Sequence, residues 1–256
     1  MLRLTERHII KILLLDIETA PNTAHIWGLF KQNISINQIM ESSYVLCWAA
    51  KWYGQEEIMF SGVNTCKPKM MLIKIYDLLA EADAVIHYNG TKFDIPTLNK
   101  EFLLYEMKPP APYKQIDLLR VAKGQFRFPS NKLDYVAQAL GLGKKTKHIG
   151  HELWIQCMAK NKEAWAMMEE YNKNDVVLLE KVYEKLRPWI KNHVNHGVYE
   201  SGLCCTNCGS INYKRSGYAY TQTQKYQRYV CKDCGTWFKA SAVNLVGDPK
   251  RFTAIA

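Results

Sequence analysis

The chain has 256 residues, of which 48% are hydrophobic and 23% charged, and this balance is typical of globular proteins and excludes a disordered or fibrous chain. Lys and Arg number 34 against 24 Asp and Glu, so the net charge is +10, which favours polyanionic partners. No apolar run approaches the roughly 18 residues of a membrane span. The apolar stretch near the N-terminus is interrupted by Lys11 and ends in Asp16, unlike a signal peptide. We therefore expect a cytoplasmic protein without membrane contact.

The order of strand and helix patterns predicts an α/β fold. Near-continuous aliphatic residues predict a buried strand over 9–15, and segments 42–54 and 56–62 predict two strands joined by a turn at Gly54. Helical spacing predicts helices over 68–79 and about 95–105, on either side of a short strand in ADAVIHYNG. QIDLLRVAK is a strand or a strand–helix junction, and residues from 131 onward are helical up to a long last helix that Pro188 ends. This order predicts a mixed sheet flanked by helices.

The composition divides the chain into four segments. We expect an α/β domain over residues 1–190, a linker over 191–202, a small Cys- and Tyr-rich domain over 203–240, and a flexible tail over 241–256. From Ser201 onward, eight basic and two acidic residues contribute +6 of the total charge of +10. The positive charge is therefore concentrated near the C-terminus.

Two carboxylates, Asp16 and Glu18, stand at the end of the first predicted strand. Alternate residues of a strand share a face, so both side chains point the same way, about 6.6 Å apart along the strand. Carboxylates beside a buried strand need a compensating charge or hydrogen bond. Asp-x-Glu is also a common surface pair, so the pair alone leaves both interpretations open.

Two further acids lie beside predicted helices. Asp94 begins one helix, where it could cap the helix, bind a metal ion, or do both. Asp175 lies within the apolar stripe of the last helix, and Tyr171 lies one turn earlier on the same face. A salt bridge to an Arg would compensate the charge of Asp175 alone. A metal ion bound jointly with the other acids would compensate the charges of all four. Hard cations such as Mg²⁺ and Mn²⁺ prefer oxygen ligands, and a pair of them suits phosphodiester hydrolysis.

The motifs DIET, NGTKFD and Y-x-x-x-D occur in this order, and they resemble the three motifs of the DEDD superfamily of 3′–5′ exonucleases, which share a ribonuclease H-like fold. DIETAPN, SNKLDYVAQALGLG and YNKNDV are most similar to the YprB-like group of that superfamily, which includes bacterial and phage-encoded members. The histidine subgroup places its residue where this chain has Glu170, so Tyr171 indicates the tyrosine (DEDDy) subgroup. The resemblance covers about residues 9–187.

The resemblance implies roles for five residues. Asp16, Glu18, Asp94 and Asp175 would bind two Mg²⁺ or Mn²⁺ ions, and Tyr171 would orient the attacking water. The implied reaction removes 5′-mononucleotides from the 3′ end of a nucleic acid that is single-stranded or has a 3′ single-stranded end. We favour DNA over RNA as the substrate.

Six residues near the motifs are candidate substrate contacts: Thr19, Asn89, Phe93, Lys144, Lys145 and Lys147. The first three lie beside the acids, although a strand-end Thr, a turn Asn and a core Phe are equally ordinary. The three lysines form a basic loop that either contacts phosphate or is simply solvated.

Eight cysteines without an export signal indicate reduced thiols or metal ligands rather than disulfides. Cys205-x₂-Cys208 and Cys231-x₂-Cys234, with 22 residues between the pairs, are a strong zinc-ribbon signature. Four thiolates leave no open coordination position, so we expect one structural Zn²⁺.

Between the cysteine pairs, NYKRSGYAYTQTQKYQRYV interleaves aromatic residues with Lys, Arg and Gln. We expect this hairpin to bind nucleic acid by stacking and charge; the alternative is that its tyrosines form the small core of the ribbon. It resembles the zinc ribbons of some transposases but lacks the common Pro inside the first knuckle.

The sequence as a whole predicts a metal-dependent 3′–5′ exonuclease whose zinc ribbon helps to hold the nucleic acid. Two alternatives remain. The same acids would serve a structure-specific endonuclease, and a binding protein could keep the fold with a silent site.

Overall fold

The computed structural model describes residues 10–198, 203–240 and 252–254, the last three as backbone only. The strands of its larger part are β1 Ile12–Thr19, β2 Thr23–Ala24, β3 Ile39–Glu41, β4 Val45–Trp52, β5 Ile58–Gly62, β6 Ala84–His87 and β7 Lys114–Asp117. Five of them form one sheet in the order β5-β4-β1-β6-β7, and β2 pairs with β3 separately. β1 pairs antiparallel with β4 and parallel with β6. The sheet is therefore mixed, as predicted.

Helices cover both faces of this sheet. They are α1 Pro68–Glu81, α2 Asp94–Leu104, α3 Leu118–Gln125, α4 Leu133–Ala139, α5 Glu152–Met158 and α6 Lys162–Leu186. One core cluster joins the sheet to α1 and α2, and another joins it to α3, α4 and α6. The predicted class, a mixed sheet flanked by helices, is confirmed. Within the described ranges, no helix combines the length and apolarity needed to cross a bilayer.

The central strand β1 sorts its side chains between the two faces. Ile12 and Leu14 pack in the cluster that contains α6, whereas the odd-numbered residues 13, 15 and 17 pack in the cluster that contains α1 and α2. Asp16 and Glu18 continue the even-numbered series towards α6. We predicted that this strand ends at Leu15, but it continues to Thr19, so both acids lie inside it.

A second, smaller sheet contains the cysteine pairs. Its strands are β8 Tyr213–Tyr220, β9 Lys225–Cys231, β10 Trp237–Ala240 and β11 Phe252–Ala254, in the order β11-β10-β9-β8. The predicted flexible tail, 241–256, lies outside the described residues apart from β11. Of the predicted linker, residues 199–202 lie outside them as well, and His196–Val198 form a 3₁₀ helix.

Arg187, at the end of α6, joins the two parts. Its Nε and Nη2 donate to the backbone oxygen of Asn207 at 3.2 and 2.5 Å, and its Nη1 donates to Tyr53 Oη at 3.1 Å. Asn207 Nδ2 donates back to the Arg187 oxygen at 2.8 Å and to Thr236 Oγ1 at 2.7 Å. Asn207 lies inside the first cysteine knuckle, so the smaller sheet is docked onto the end of the helix that carries Asp175.

Candidate active site

Four acids meet at one end of β1. Oxygen atoms of Asp16, Glu18 and Asp175 all lie within 4.8 Å of one another, although Asp175 is about 160 residues away along the chain. Asp94 lies beside them, because its Oδ1 accepts a hydrogen bond from the backbone N–H of Ile17 at 3.2 Å. The fold therefore collects the four predicted carboxylates from a strand and two helices.

A bulge in β1 and a tight turn before α2 position these acids. The register between β1 and β4 shifts between Glu18 and Thr19, and such bulges commonly occur next to active sites. Asn89 has a φ of 71°, and a Cβ at Gly90 would lie 2.3 Å from the ring of His87, so this turn requires glycine there. Asp117 Oδ1 holds the turn by accepting the N–H of Asn89 at 2.9 Å. This turn determines where α2 begins, and it therefore positions Asp94, the first residue of that helix.

Burial and mutual repulsion oppose ionisation of the acids. Burial raises the pKa of Glu18 and of Asp94 to about 7. Burial, followed by the charges of Glu18 and Asp94, raises the pKa of Asp16 well above its ordinary value. A cation among these carboxylates would favour their ionised forms.

The side chain of Lys145 supplies one such cation. Its Nζ donates to Asp175 Oδ2 at 2.5 Å and to Tyr171 Oη at 3.1 Å, while Asp134 Oδ1 accepts the Lys145 backbone N–H at 2.8 Å and anchors the loop. Burial alone would lower the pKa of Lys145, but the charges of Asp175 and Asp16 raise it above its ordinary value. Asp175 thus pairs with a lysine rather than with the arginine that was the alternative.

The donor set fits hard divalent cations. It consists of carboxylate oxygens, and Asp175 Oδ1 is buried without a hydrogen-bond partner among the described residues. A single ammonium offsets only part of the charge of four carboxylates. Mg²⁺ or Mn²⁺ bound by Asp16, Glu18 and Asp175, with Asp94 beside them, would offset the remainder.

A cleft of about 580 Å³ opens beside the acids. It is lined by Asp16, Tyr88, Asn89, Leu119, Lys123, Asn131, Lys132, Leu133, Asp134 and Lys145. Its volume falls within the range of roughly 300–1,000 Å³ that small-molecule sites occupy. Three lysines on its wall suit a phosphate-bearing ligand.

The predicted substrate contacts are distributed unevenly around this cleft. Asn89 and Lys145 line it, and Thr19 is half-buried directly after Glu18 in the strand. Phe93 is exposed immediately before α2. The other two lysines of the loop, 144 and 147, are exposed, and within the described part of the chain no hydrogen bond or ion pair joins them to the four acids.

Sequence reasoning missed several residues at the site. Asn172 is buried and donates from Nδ2 to Asp16 Oδ2 at 2.7 Å. Trp154 acts to lower the pKa of Glu18, against the larger effect of burial, and its ring packs edge-on against Tyr171. Lys123 and Lys132 line the cleft. Two of the family-like strings contain members of this group, SNKLDY with Lys132 and YNKNDV with Asn172, but neither string indicated a role for them.

The four predicted zinc ligands form a second cluster. Their Sγ atoms all lie within 4.8 Å of one another, with 3.6 Å between Cys205 and Cys234 and 3.7 Å between Cys208 and Cys231. A tetrahedral zinc site with Zn–S bonds of about 2.3 Å has sulfur atoms about 3.8 Å apart. The thiols therefore fit one tetrahedral ion. His193 is not part of the cluster, because its Nε2 bonds Tyr183 Oη at 2.6 Å.

Comparisons with known proteins extend these observations. Residues 13–187 match the family model of the RNase_H superfamily. Among the solved structures that match is the family B DNA polymerase from the hyperthermophilic archaeon Pyrobaculum calidifontis, at 15% identity and a TM-score of 0.55. The match covers 86% of this chain but 32% of the polymerase chain, and at this identity it shows the fold alone. No curated protein matches the sequence.

Proposed function

The chain belongs to the RNase_H superfamily, and from that premise we propose that it is a metal-dependent 3′–5′ exonuclease of the DEDDy type. It would hydrolyse the last phosphodiester bond of a strand and release 5′-mononucleotides. The observation that carries the proposal is the convergence of Asp16, Glu18 and Asp175 within 4.8 Å, with Asp94 beside them. Four carboxylates this close together, two of them half-buried and two buried, are costly for a protein that does not bind metal.

The four acids would hold two Mg²⁺ or Mn²⁺ ions. When bound, such ions lower the pKa of a water and stabilise the charge on the leaving oxygen. Burial, followed by the charge of Asp175, raises the pKa of Tyr171 above its ordinary value, so its phenol stays protonated at neutral pH. Tyr171 therefore acts by donating a hydrogen bond that orients the attacking water, rather than as a base.

Lys145 is the best-supported phosphate contact. Its Nζ already lies among the acids and on the wall of the cleft, so a strand end entering there would meet a positive charge beside Asp175. Asn89 would face the terminal nucleotide from the same wall, with Thr19 and Phe93 at the edge. Lys144 and Lys147 would contact the backbone farther out by charge alone.

The zinc ribbon would hold the strand away from the active site. Tyr213 and Tyr229 pack with Phe238 in its core, whereas Tyr218 and Tyr220 are exposed. Cationic side chains lie over these rings: the Nζ of Lys225 is 3.8 Å from the ring centroid of Tyr218. Exposed aromatic rings paired with cations suit single-stranded nucleic acid. The ribbon thus divides its tyrosines between core and binding surface.

The test is a cleavage assay. A 5′-labelled single-stranded DNA, with its 3′ end free or blocked, is incubated with the protein and Mg²⁺ or Mn²⁺. We expect stepwise shortening of the free strand only, and we expect Asp16→Asn and Asp175→Asn to remove nearly all cleavage without changing the circular dichroism spectrum. An RNA strand of the same sequence tests the preference for DNA.

Other outcomes would select the alternatives. Internal cuts in the blocked strand would indicate an endonuclease that uses the same acids. Tight binding without cleavage under either metal would indicate a binding protein with a silent site. Normal cleavage by Asp175→Asn would show that the chemistry lies elsewhere on the chain.

A further inference from the structure

An apolar loop follows the first two acids along the chain. We define the apolar loop as residues 25–38, which connect β2 to β3. Its large hydrophobic side chains point outward: Trp27 is 97% exposed, Leu29 83%, Phe30 86% and Ile36 85%. Scattered exposed hydrophobic residues are normal, but several in one short loop mark an interaction surface. These side chains therefore contribute little to the core.

The base of the apolar loop is closed by hydrogen bonds. The backbone N–H of His25 donates to the Gln38 oxygen at 2.9 Å, and Gln38 Nε2 donates back to the His25 oxygen at 2.9 Å. Gln38 Oε1 also accepts the backbone N–H of Ser35 at 2.9 Å. The loop is therefore a closed structure that presents its apolar side chains to solvent.

Its base lies at the same end of the sheet as the candidate active site. β2 begins four residues after Thr19, the last residue of β1. Asn22 Oδ1 accepts the N–H of Ser43 at 2.6 Å, and Lys100 of α2 donates to the Ser43 oxygen at 2.5 Å. The chain beside the base is therefore linked through Ser43 to the middle of α2, the helix that begins with Asp94, and it follows closely after the end of β1, which carries Asp16 and Glu18.

The charge of this segment favours a polyanion. From residue 19 to residue 40 the chain contains no Asp or Glu, and Lys31 lies at the centre of the loop. The nearest acids along the chain are Glu18 and Glu41, and Glu41 pairs with Thr23 at the base, so the loop itself presents no acidic side chain to phosphates. The flat rings of Trp27 and Phe30 offer surfaces on which unpaired bases stack. The exposed ring of Phe93 lies at the start of α2, at the same end of the sheet.

We propose that the apolar loop binds the unpaired bases of the substrate strand a few nucleotides from its cleaved end, with Trp27 and Phe30 as stacking platforms. The inference rests on the proposed nuclease function, because the strand end is placed at the four acids. The loop then selects single-stranded ends, since bases in a duplex do not expose their faces to it. The ribbon would hold the strand at a separate position.

Fluorescence anisotropy with a 5′-fluorescein-labelled dT₁₂ strand, in buffer without Mg²⁺ or Mn²⁺ and without a chelator, measures binding without metal-dependent cleavage and leaves the cysteine site loaded. We expect Trp27→Ala and Phe30→Ala each to weaken binding by about tenfold or more, and Trp27→Phe to stay within about threefold of the unmodified protein. Leu103→Ala is the control, because Leu103 is also a strongly exposed apolar residue but lies at the far end of α2. Circular dichroism checks that each variant is folded.

Photocrosslinking gives an independent measurement. A strand with 5-iodouracil three to six nucleotides from its 3′ end should crosslink to Trp27 or Phe30, as identified by mass spectrometry. Crosslinks confined to other segments would overturn the proposal. Unchanged strand affinity in both alanine variants would also overturn the proposal. If those variants in addition lost self-association, the loop would instead be a contact between two copies of the chain.

These results separate the loop from the nuclease function. If the protein cleaves DNA but the alanine variants bind it normally, the loop proposal fails alone. If the alanine variants bind weakly but no metal supports cleavage by the unmodified protein, the loop is a single-strand binding surface, and the nuclease proposal and the placement of the loop relative to a cleaved end fail. If the unmodified protein neither binds nor cleaves the strand, both fail.

Discussion

Asn172 donates a hydrogen bond of 2.7 Å from Nδ2 to Oδ2 of Asp16. Its own Oδ1 accepts from the thiol of Cys47 at 3.8 Å, so the two ends of the amide have different partners. Because Oδ1 faces the thiol, the donor end of the amide faces the carboxylate. Asp16 is therefore oriented by an uncharged group, and its negative charge remains available to a cation.

We predict that Asn172→Leu weakens Mn²⁺ binding by about tenfold to a hundredfold, because a hydrogen bond to a charged group contributes about 1.5–3 kcal/mol. Leucine has a similar volume and removes the donor. Isothermal titration with Mn²⁺ measures the effect independently of cleavage. Cys47→Ala is the control, because it keeps the donor to Asp16, and its Mn²⁺ affinity should stay within about threefold. Wild-type affinity in Asn172→Leu would contradict a positioning role.

The three lysines of the loop should differ in importance. Lys145→Ala should lower kcat by about 10²-fold, the scale of losing one charge-stabilising group in an active site, because its Nζ lies among the acids. Lys144→Ala and Lys147→Ala are matched controls on the same loop and should change kcat by less than about threefold, with a larger effect on KM. Equal losses in all three variants would mean that the loop acts only by its total charge.

The stability of the metal-free protein should fall as the pH rises from about 4.5 to about 7. Glu18 and Asp94 have pKa values of about 7 in the folded protein, whereas unfolded carboxyls titrate near 4. Between these values the folded chain keeps protons that the unfolded chain has lost, so the free energy of unfolding decreases with pH. Mn²⁺ should reverse the loss, because it stabilises the ionised acids.

Urea unfolding in buffer without Mg²⁺ or Mn²⁺ and without a chelator, repeated across this pH range, tests the claim. Glu18→Gln is the control, because it removes one of the shifted groups. The variant should become more stable relative to wild type as the pH rises. A difference between the two proteins that stays constant with pH would contradict the assignment.

The sequence contained enough information to predict the α/β class and the positions of the acids. Alternation along a strand places Asp16 and Glu18 on one face, and helical spacing places Asp175 and Tyr171 on another, so both inferences are local. The predicted end of β1 at Leu15 was wrong, because Asp and Glu are poor strand formers and Asp16 and Glu18 therefore suggested that the strand had ended. In the structure, β1 pairs with β4 through both acids as far as Thr19, and this pairing keeps them in the strand.

Non-local contacts were beyond sequence reasoning. Along the sequence Lys145 is one of three equivalent lysines in a loop. Its contacts with residues distant in the chain distinguish it: Asp134 anchors its backbone, and its Nζ bonds Asp175. Asn172 looked like an ordinary polar residue beside Tyr171, because its partner Asp16 is more than 150 residues away. The exposure of Trp27 depends on how its loop closes, which hydrophobic patterning does not encode.

The junction at Arg187 predicts that zinc binding and the stability of the larger part are coupled. Replacing Arg187 by Met keeps most of the aliphatic stem but leaves the buried oxygen of Asn207 without its two donors, and we expect a loss of about 1–3 kcal/mol in the free energy of unfolding. Because Asn207 lies between Cys205 and Cys208, we also expect a chelator to remove zinc faster from the variant.

A colorimetric zinc-release assay and urea unfolding measure these two effects. Lys191→Ala is the control, because Lys191 is an exposed cation four residues further along the chain. Zinc removal should also lower the melting temperature of the unmodified protein in a single transition, since the knuckle is fixed to the end of α6. Two independent transitions, with the second unaffected by the chelator, would show that the ribbon is not coupled to the helix that carries Asp175.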